Sequence, residues 1–102
     1  MVNTVKLRKA IKAGNLGEVK ELLQGANINE IRLVHGWTSL HFAAKHGTPD
    51  VAAAILEYGA EINTTTDMWQ TALDIAIGLK KSELAAFLRE KGAQSGTDLS
   101  LN

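Results

Sequence analysis

Three histidines are the residues in this chain best suited to move protons or hold a metal: His35, His41 and His46. His41 and His46 stand five apart. Two zinc-binding histidines on one helical face need i, i+4 spacing and a third ligand, as in His-Glu-x-x-His, and neither is present. The carboxylates Glu57, Glu61, Asp67 and Asp74 are scattered, and no two sit where a shared cleft would let them work as acid and base. Solvated surface is their expected place. The chain has no G-x-G-x-x-G, no G-x-x-x-x-G-K-S/T and no G-x-S-x-G, so no phosphate-cradling loop or nucleophile elbow is expected. It has no cysteine, which excludes disulfides, thiolate-held zinc, iron–sulfur clusters and thiol catalysis. No enzymatic activity, cofactor or metal is expected.

Charge narrows the partners. Eleven Lys and Arg balance eleven Asp and Glu, which argues against a protein that coats nucleic acid. Lys6, Arg8, Lys9 and Lys12 do precede the first acid, Glu18. Such a cluster either contacts phosphate or an acidic protein, or forms the solvated face of a terminal helix, and the second is the expectation. The longest strictly apolar run, Val51–Leu56, has six residues and is too short to span a membrane. Residues 1–12 lack the apolar core of a secretion signal. At 45 % hydrophobic and 22 % charged residues the chain reads as one globular domain. A cytoplasmic monomer is expected, with the nucleus as the alternative compartment.

The elements that position these residues follow from a repeat of 33 residues. At that offset Leu7 falls on Leu40 and Leu73, Ala10 on Ala43 and Ala76, and Leu22 on Ile55 and Leu88. Gly59-Ala60 falls on Gly92-Ala93, and the first unit reaches Gly25-Ala26 one residue early, as a deletion after Leu23. A column of alanines marks a place where helices approach closely. Each unit reads as two short helices. Leu40, Ala43 and Ala44 share one helical face, and Gly47 is expected to end that helix in the left-handed conformation. Thr48-Pro49-Asp50 restarts a helix with a cap, a proline at the first position and an acid at the positive end of the dipole. Asn15 with Glu18, and Thr71 with Asp74, resemble capping boxes. Helices are expected near residues 4–13, 16–24, 38–46, 49–58, 71–79 and 81–90. Polar, turn-rich stretches at 27–37 and 61–70 would be projecting arms, and 94–102 reads as a disordered tail.

These residues resemble the ankyrin repeat. Gly36-Trp37-Thr38-Ser39-Leu40-His41-Phe42-Ala43-Ala44-Lys45-His46-Gly47 follows the pattern Gly-x-Thr-Pro-Leu-His-x-Ala-Ala-x-x-Gly, with Ser39 in place of proline. Ile55-Leu56-Glu57-Tyr58-Gly59-Ala60-Glu61-Ile62-Asn63 completes the unit. The third unit keeps Thr71, Leu73 and Ala76, but Asp74 stands for the histidine, Lys80 for a glycine and Arg89 for a leucine. The resemblance implies an all-α solenoid of three helix pairs with short β-hairpin arms over residues 1–93. Its units would be about 4–29, 30–63 and 64–93. It implies that His41 is structural and ties adjacent units by hydrogen bonds near Thr38.

The resemblance also implies a protein-binding module whose partner sits on the concave face of arms and first helices. The variable, partner-contacting positions of the family fall on Val34, His35, Trp37 and Phe42, and on Asp67, Met68, Gln70 and Ile75, with Trp69 beside them. That set is rich in apolar residues, as interaction patches are. Trp69 takes a place where the pattern wants glycine, so strain at a positive-φ turn or a rebuilt hairpin is expected there. The alternatives are a regulatory inhibitor, a capping fragment of a longer array, and a nucleic-acid contact through the basic first helix.

Overall fold

In a computed structural model of the chain, which describes residues 2–100, six helices form three antiparallel pairs. They are α1 (Thr4–Ala13) with α2 (Leu16–Leu23), α3 (Ser39–His46) with α4 (Pro49–Glu57), and α5 (Ala72–Gly78) with α6 (Ser82–Glu90). Their ends fall within one residue of the boundaries read from the 33-residue register. None of these helices would persist alone at this length. They persist because α1 packs on α3 and α3 on α5 as an inner layer, while α2 packs on α4 and α4 on α6 as an outer one. No helix among the described residues is long and apolar enough to cross a membrane.

The repeat register is also the burial register. Leu7, Leu40 and Leu73 are buried, as are Ala10, Ala43 and Ala76. The alanine column lies in the seam between inner helices, where a larger side chain would push neighbours apart. The first unit departs by one place. Leu22, which the register matches to Ile55, is half-buried, and Leu23 takes the fully buried position.

Helix starts follow the caps read from sequence. Asn15 accepts the Glu18 N–H at 3.1 Å, Thr48 accepts that of Val51, and Thr71 with Asp74 forms a complete capping box. Gly47 differs from expectation: its φ of −95° and ψ of −165° are extended, not left-handed. Space requires glycine here, because a Cβ would sit 2.9 Å from the Ala43 carbonyl oxygen.

Two further expectations are corrected. The arms are not β-hairpins, for no strand occurs among the described residues. The first arm is the tight turns Ile28–Glu30 and Val34–Gly36, closed by Leu33 N–H donating to Trp37 O at 2.7 Å. The second is closed by Thr66 N–H donating to Gln70 O at 2.9 Å. One closing bond per arm, with no further rungs, leaves a turn rather than a ladder. The expected disordered tail also differs. Gly96–Ser100 forms a short helix, α7, and Gly96 is buried. Gln94 O accepts from Thr71 Oγ1 at 2.7 Å, and Gly96 N–H donates to Asp74 Oδ2 at 2.8 Å. Residues 101 and 102 of that expectation lie outside the described residues.

Asparagines lock unit to unit. Asn29 Nδ2 donates to Gly59 O at 3.0 Å and its Oδ1 accepts from Glu61 N–H at 2.9 Å. Asn63 repeats the clamp on Gly92 O at 3.3 Å and Gln94 N–H at 2.8 Å. Each clamp satisfies two loop backbone groups that no helix reaches.

Candidate functional site

His41 is 1 % exposed. Thr38 N–H donates to its Nδ1 at 2.9 Å, so Nδ1 is the acceptor nitrogen and the proton sits on Nε2. Nε2 then donates to Thr64 O at 2.8 Å and Gln70 O at 3.1 Å. Burial holds the ring below the ordinary histidine value. The two carbonyl contacts oppose that shift, and Arg32 adds to it. A neutral ring with both nitrogens engaged serves as a joint between the second unit and the second arm.

Four of the expected partner residues meet in one pocket. Val34, His35, Trp37 and Phe42 line it together with Arg8, Leu33, Lys45 and His46, around about 180 Å³. The first arm supplies Val34, His35 and Trp37, and α3 supplies Phe42, because Thr38 caps the helix between them. Lys45 Nζ stands 5.8 Å from the Trp37 ring centroid, within cation–π reach. Phe42 and His46 have ring centroids 4.7 Å apart.

The second arm carries an exposed tip outside that pocket. Met68 is 76 % and Trp69 74 % exposed, and Asp67 and Gln70 are exposed beside them. Asp67 N–H donates to His35 O at 3.3 Å, which joins the two arm tips. Trp69 adopts φ +59°, the strained alternative of the two expected for a non-glycine at this place. Ile75 is not part of the face: it is 6 % exposed and belongs to the core. The first-helix position that holds the half-buried Phe42 in the second unit is buried in the third.

Arg8, Leu33, Lys45 and His46 were not among the expected site residues. Arg8 was read as part of a solvated cap face, yet it is half-buried against the pocket and its Nε is buried without a hydrogen-bond partner. His46 is held below the ordinary histidine value, first by partial burial and then by Lys45, Lys12 and Lys81.

The family model described as "Ankyrin repeats (3 copies)" matches residues 7–98, which takes in the docked tail as far as α7. The chain is 42 % identical over 77 residues to calmodulin-binding transcription activator 5 of Arabidopsis thaliana, covering 69 % of this chain and 8 % of that protein. It is 42 % identical over 62 residues to human protein phosphatase 1 regulatory subunit 27, covering 60 % of this chain and 40 % of that one. It is 40 % identical over 63 residues to mouse ankyrin repeat domain-containing protein 40, covering 59 % and 17 %. The chain thus spans well under half the length of each of these relatives.

Proposed function

Because this chain belongs to the ankyrin-repeat family, we propose that it is a non-catalytic module that docks a protein partner on its concave face. Ankyrin repeats are generally protein–protein interaction modules. The face comprises Val34, His35, Trp37 and Phe42 around the pocket, and Asp67, Met68, Trp69 and Gln70 on the adjoining arm. The observation that carries the reading is the second arm tip: a methionine and a tryptophan side by side, each about three-quarters exposed (76 % and 74 %). Leaving that much apolar surface in water costs about 25 cal/mol per Å². Trp69 adds a backbone conformation that glycine would adopt without strain. A residue that is costly on both counts is explained by a contact it makes elsewhere. The mechanism is rigid presentation, since stacked helices and asparagine clamps hold the arms before the partner arrives.

A regulatory role is the second reading. It is favoured by similarity to a protein named as a phosphatase regulatory subunit, and a docked module that occludes a partner would perform it.

The test uses photo-crosslinking residues placed singly at Met68, Trp37 and, on α4, Glu57. Crosslinks to one protein from Met68 and Trp37 but not from Glu57 are expected. Crosslinking mainly from Glu57 would move the site to the convex side. A Trp69→Gly variant is expected to melt at an equal or higher temperature and to lose most of that crosslinking.

A further inference from the structure

The charges of this chain sum to zero but are sorted by layer. Inner helices α1, α3 and α5 carry Lys6, Arg8, Lys9, Lys12 and Lys45 against one acid, Asp74, and that acid is occupied in capping α5. Outer helices α2, α4 and α6 carry Glu18, Glu21, Asp50, Glu57, Glu83 and Glu90 against Lys20 and Arg89. The pocket at the inner layer repeats the pattern, for Arg8, His35, Lys45 and His46 line it and no carboxylate does. Partial burial first, and then Lys45, Lys12 and Lys81, act against protonation of His46 in this lining.

The half-buried apolar residues Leu33, Trp37 and Phe42 form the floor of the pocket, and the exposed Val34 stands at its rim. At about 180 Å³ it falls short of the roughly 300 Å³ at which pockets begin to hold drug-sized ligands. It has room for a single large side chain.

We propose that this pocket receives an acidic polypeptide segment, with one aliphatic or aromatic side chain on the floor and a neighbouring Asp or Glu held by Arg8 and Lys45. The inference rests on the concave-face reading above and gives the partner its chemistry. Charge complementarity selects the acid. Arg8 strengthens the choice, because it is a half-buried cation in this lining whose Nε–H has no partner within the chain, and guanidinium is matched best by a carboxylate. Single-stranded nucleic acid also brings negative charge, but it binds by stacking bases on open aromatic faces. Here Trp37 is met by Lys45 and lies 6.1 Å from the His41 ring, while Phe42 is met by His46. Both rings that line the pocket are thus already partnered.

The experiment selects short random peptides on phage against the full chain and then measures the affinity of the winners. Enriched sequences are expected to place Asp or Glu beside Phe, Trp, Leu or Ile. Their affinity should fall about tenfold or more in Lys45→Gln and in Arg8→Gln, the loss of a charge-assisted bond, and should weaken as salt rises. Lys45 is exposed, so that variant folds even if Arg8→Gln does not. Oligothymidylate should not compete. Winners that depend on Phe42 but lack acids would overturn the acidic chemistry and leave the concave-face reading standing. Winners indifferent to Phe42→Ala would overturn both. No enrichment, or tight binding of oligothymidylate, would also overturn the proposal.

Discussion

Asp74 Oδ2 accepts the backbone N–H of Gly96 at 2.8 Å. Thirty-three residues earlier, in the same place of the repeat, His41 Nε2 donates to Thr64 O and Gln70 O. Both side chains reach from the first turn of an inner helix to the segment that follows. The polarity is reversed: imidazole offers a proton to carbonyls, and carboxylate takes one from an amide. The same atom of Asp74 also accepts from Thr71 N–H at 2.9 Å. The helix cap and the tail anchor are therefore one group.

Asp74→Ala is expected to destabilise the chain by about 1–3 kcal/mol, the cost of leaving such partners unmet. Amide exchange at Gly96 should speed up more than at Ala43. Asp74→His should not rescue the tail, because its Nε2–H would face the Gly96 N–H. Unchanged exchange at Gly96 would show that α7 is held by other contacts.

Ser39→Pro is expected to stabilise by about 0.5–1 kcal/mol. Ser39 is the first residue of α3, where an N–H has no intrahelical partner. Thr38 before it has φ −94° and ψ 174°, which proline tolerates in its predecessor. The Ser39 hydroxyl is buried and unpartnered, so Ser39→Ala should recover part of the gain. A lower urea midpoint for Ser39→Pro would mean that the ring does not fit this buried site.

Ala43→Leu is expected to cost about 1–3 kcal/mol by overpacking. Ala43 is fully buried, and Gly47 packs against it so closely that even a Cβ there would meet Ala43 Cα at 3.1 Å. An unchanged urea midpoint would contradict the tight seam.

Acid should weaken the fold in a defined window. His41 in the folded chain lies below its ordinary value of 6.5, so the unfolded chain binds a proton first. Stability is then lost as pH falls through about 6.5 and levels off below the folded value. His46 shifts in the same direction. Melting temperatures between about pH 7.5 and pH 5 should decline, and His41→Gln should flatten much of that decline. An undiminished slope in His41→Gln would assign the effect to other groups.

The helix pairs were legible because burial and repeat share one period. Leu7, Leu40 and Leu73 announce both the helix face and the neighbour it needs. His41 was legible through its motif, since its place beside Thr38 leaves its ring few partners. What escaped depended on distances that no spacing encodes. Gly47 looks like any helix-ending glycine, and only the nearby Ala43 carbonyl shows that it is needed for space rather than for a left-handed backbone. The tail 94–100 is polar by composition, but it docks through backbone groups, which every residue type carries. Ile75 occupies the register position of Phe42 and is buried where Phe42 is not, because the third unit turns that position into the core. Arg8 looked like one of four surface cations, and only the fold of the first arm puts it in one pocket with Leu33 and Trp37.

The asparagine clamps have a mechanical consequence. Asn29 grips Gly59 and Glu61, and Asn63 grips Gly92 and Gln94, so every clamp spans about one repeat and each hands its load to the next. Pulled by its two ends, the molecule is a set of links in series rather than a bundle loaded in parallel. Tension is equal at every joint, and the weakest joint yields alone. Force–extension traces should show separate steps of roughly one repeat each, with the tail, held by Asn63, Thr71 and Asp74 at the end of the series, giving way before the ring-and-clamp joint at His41 and Asn29.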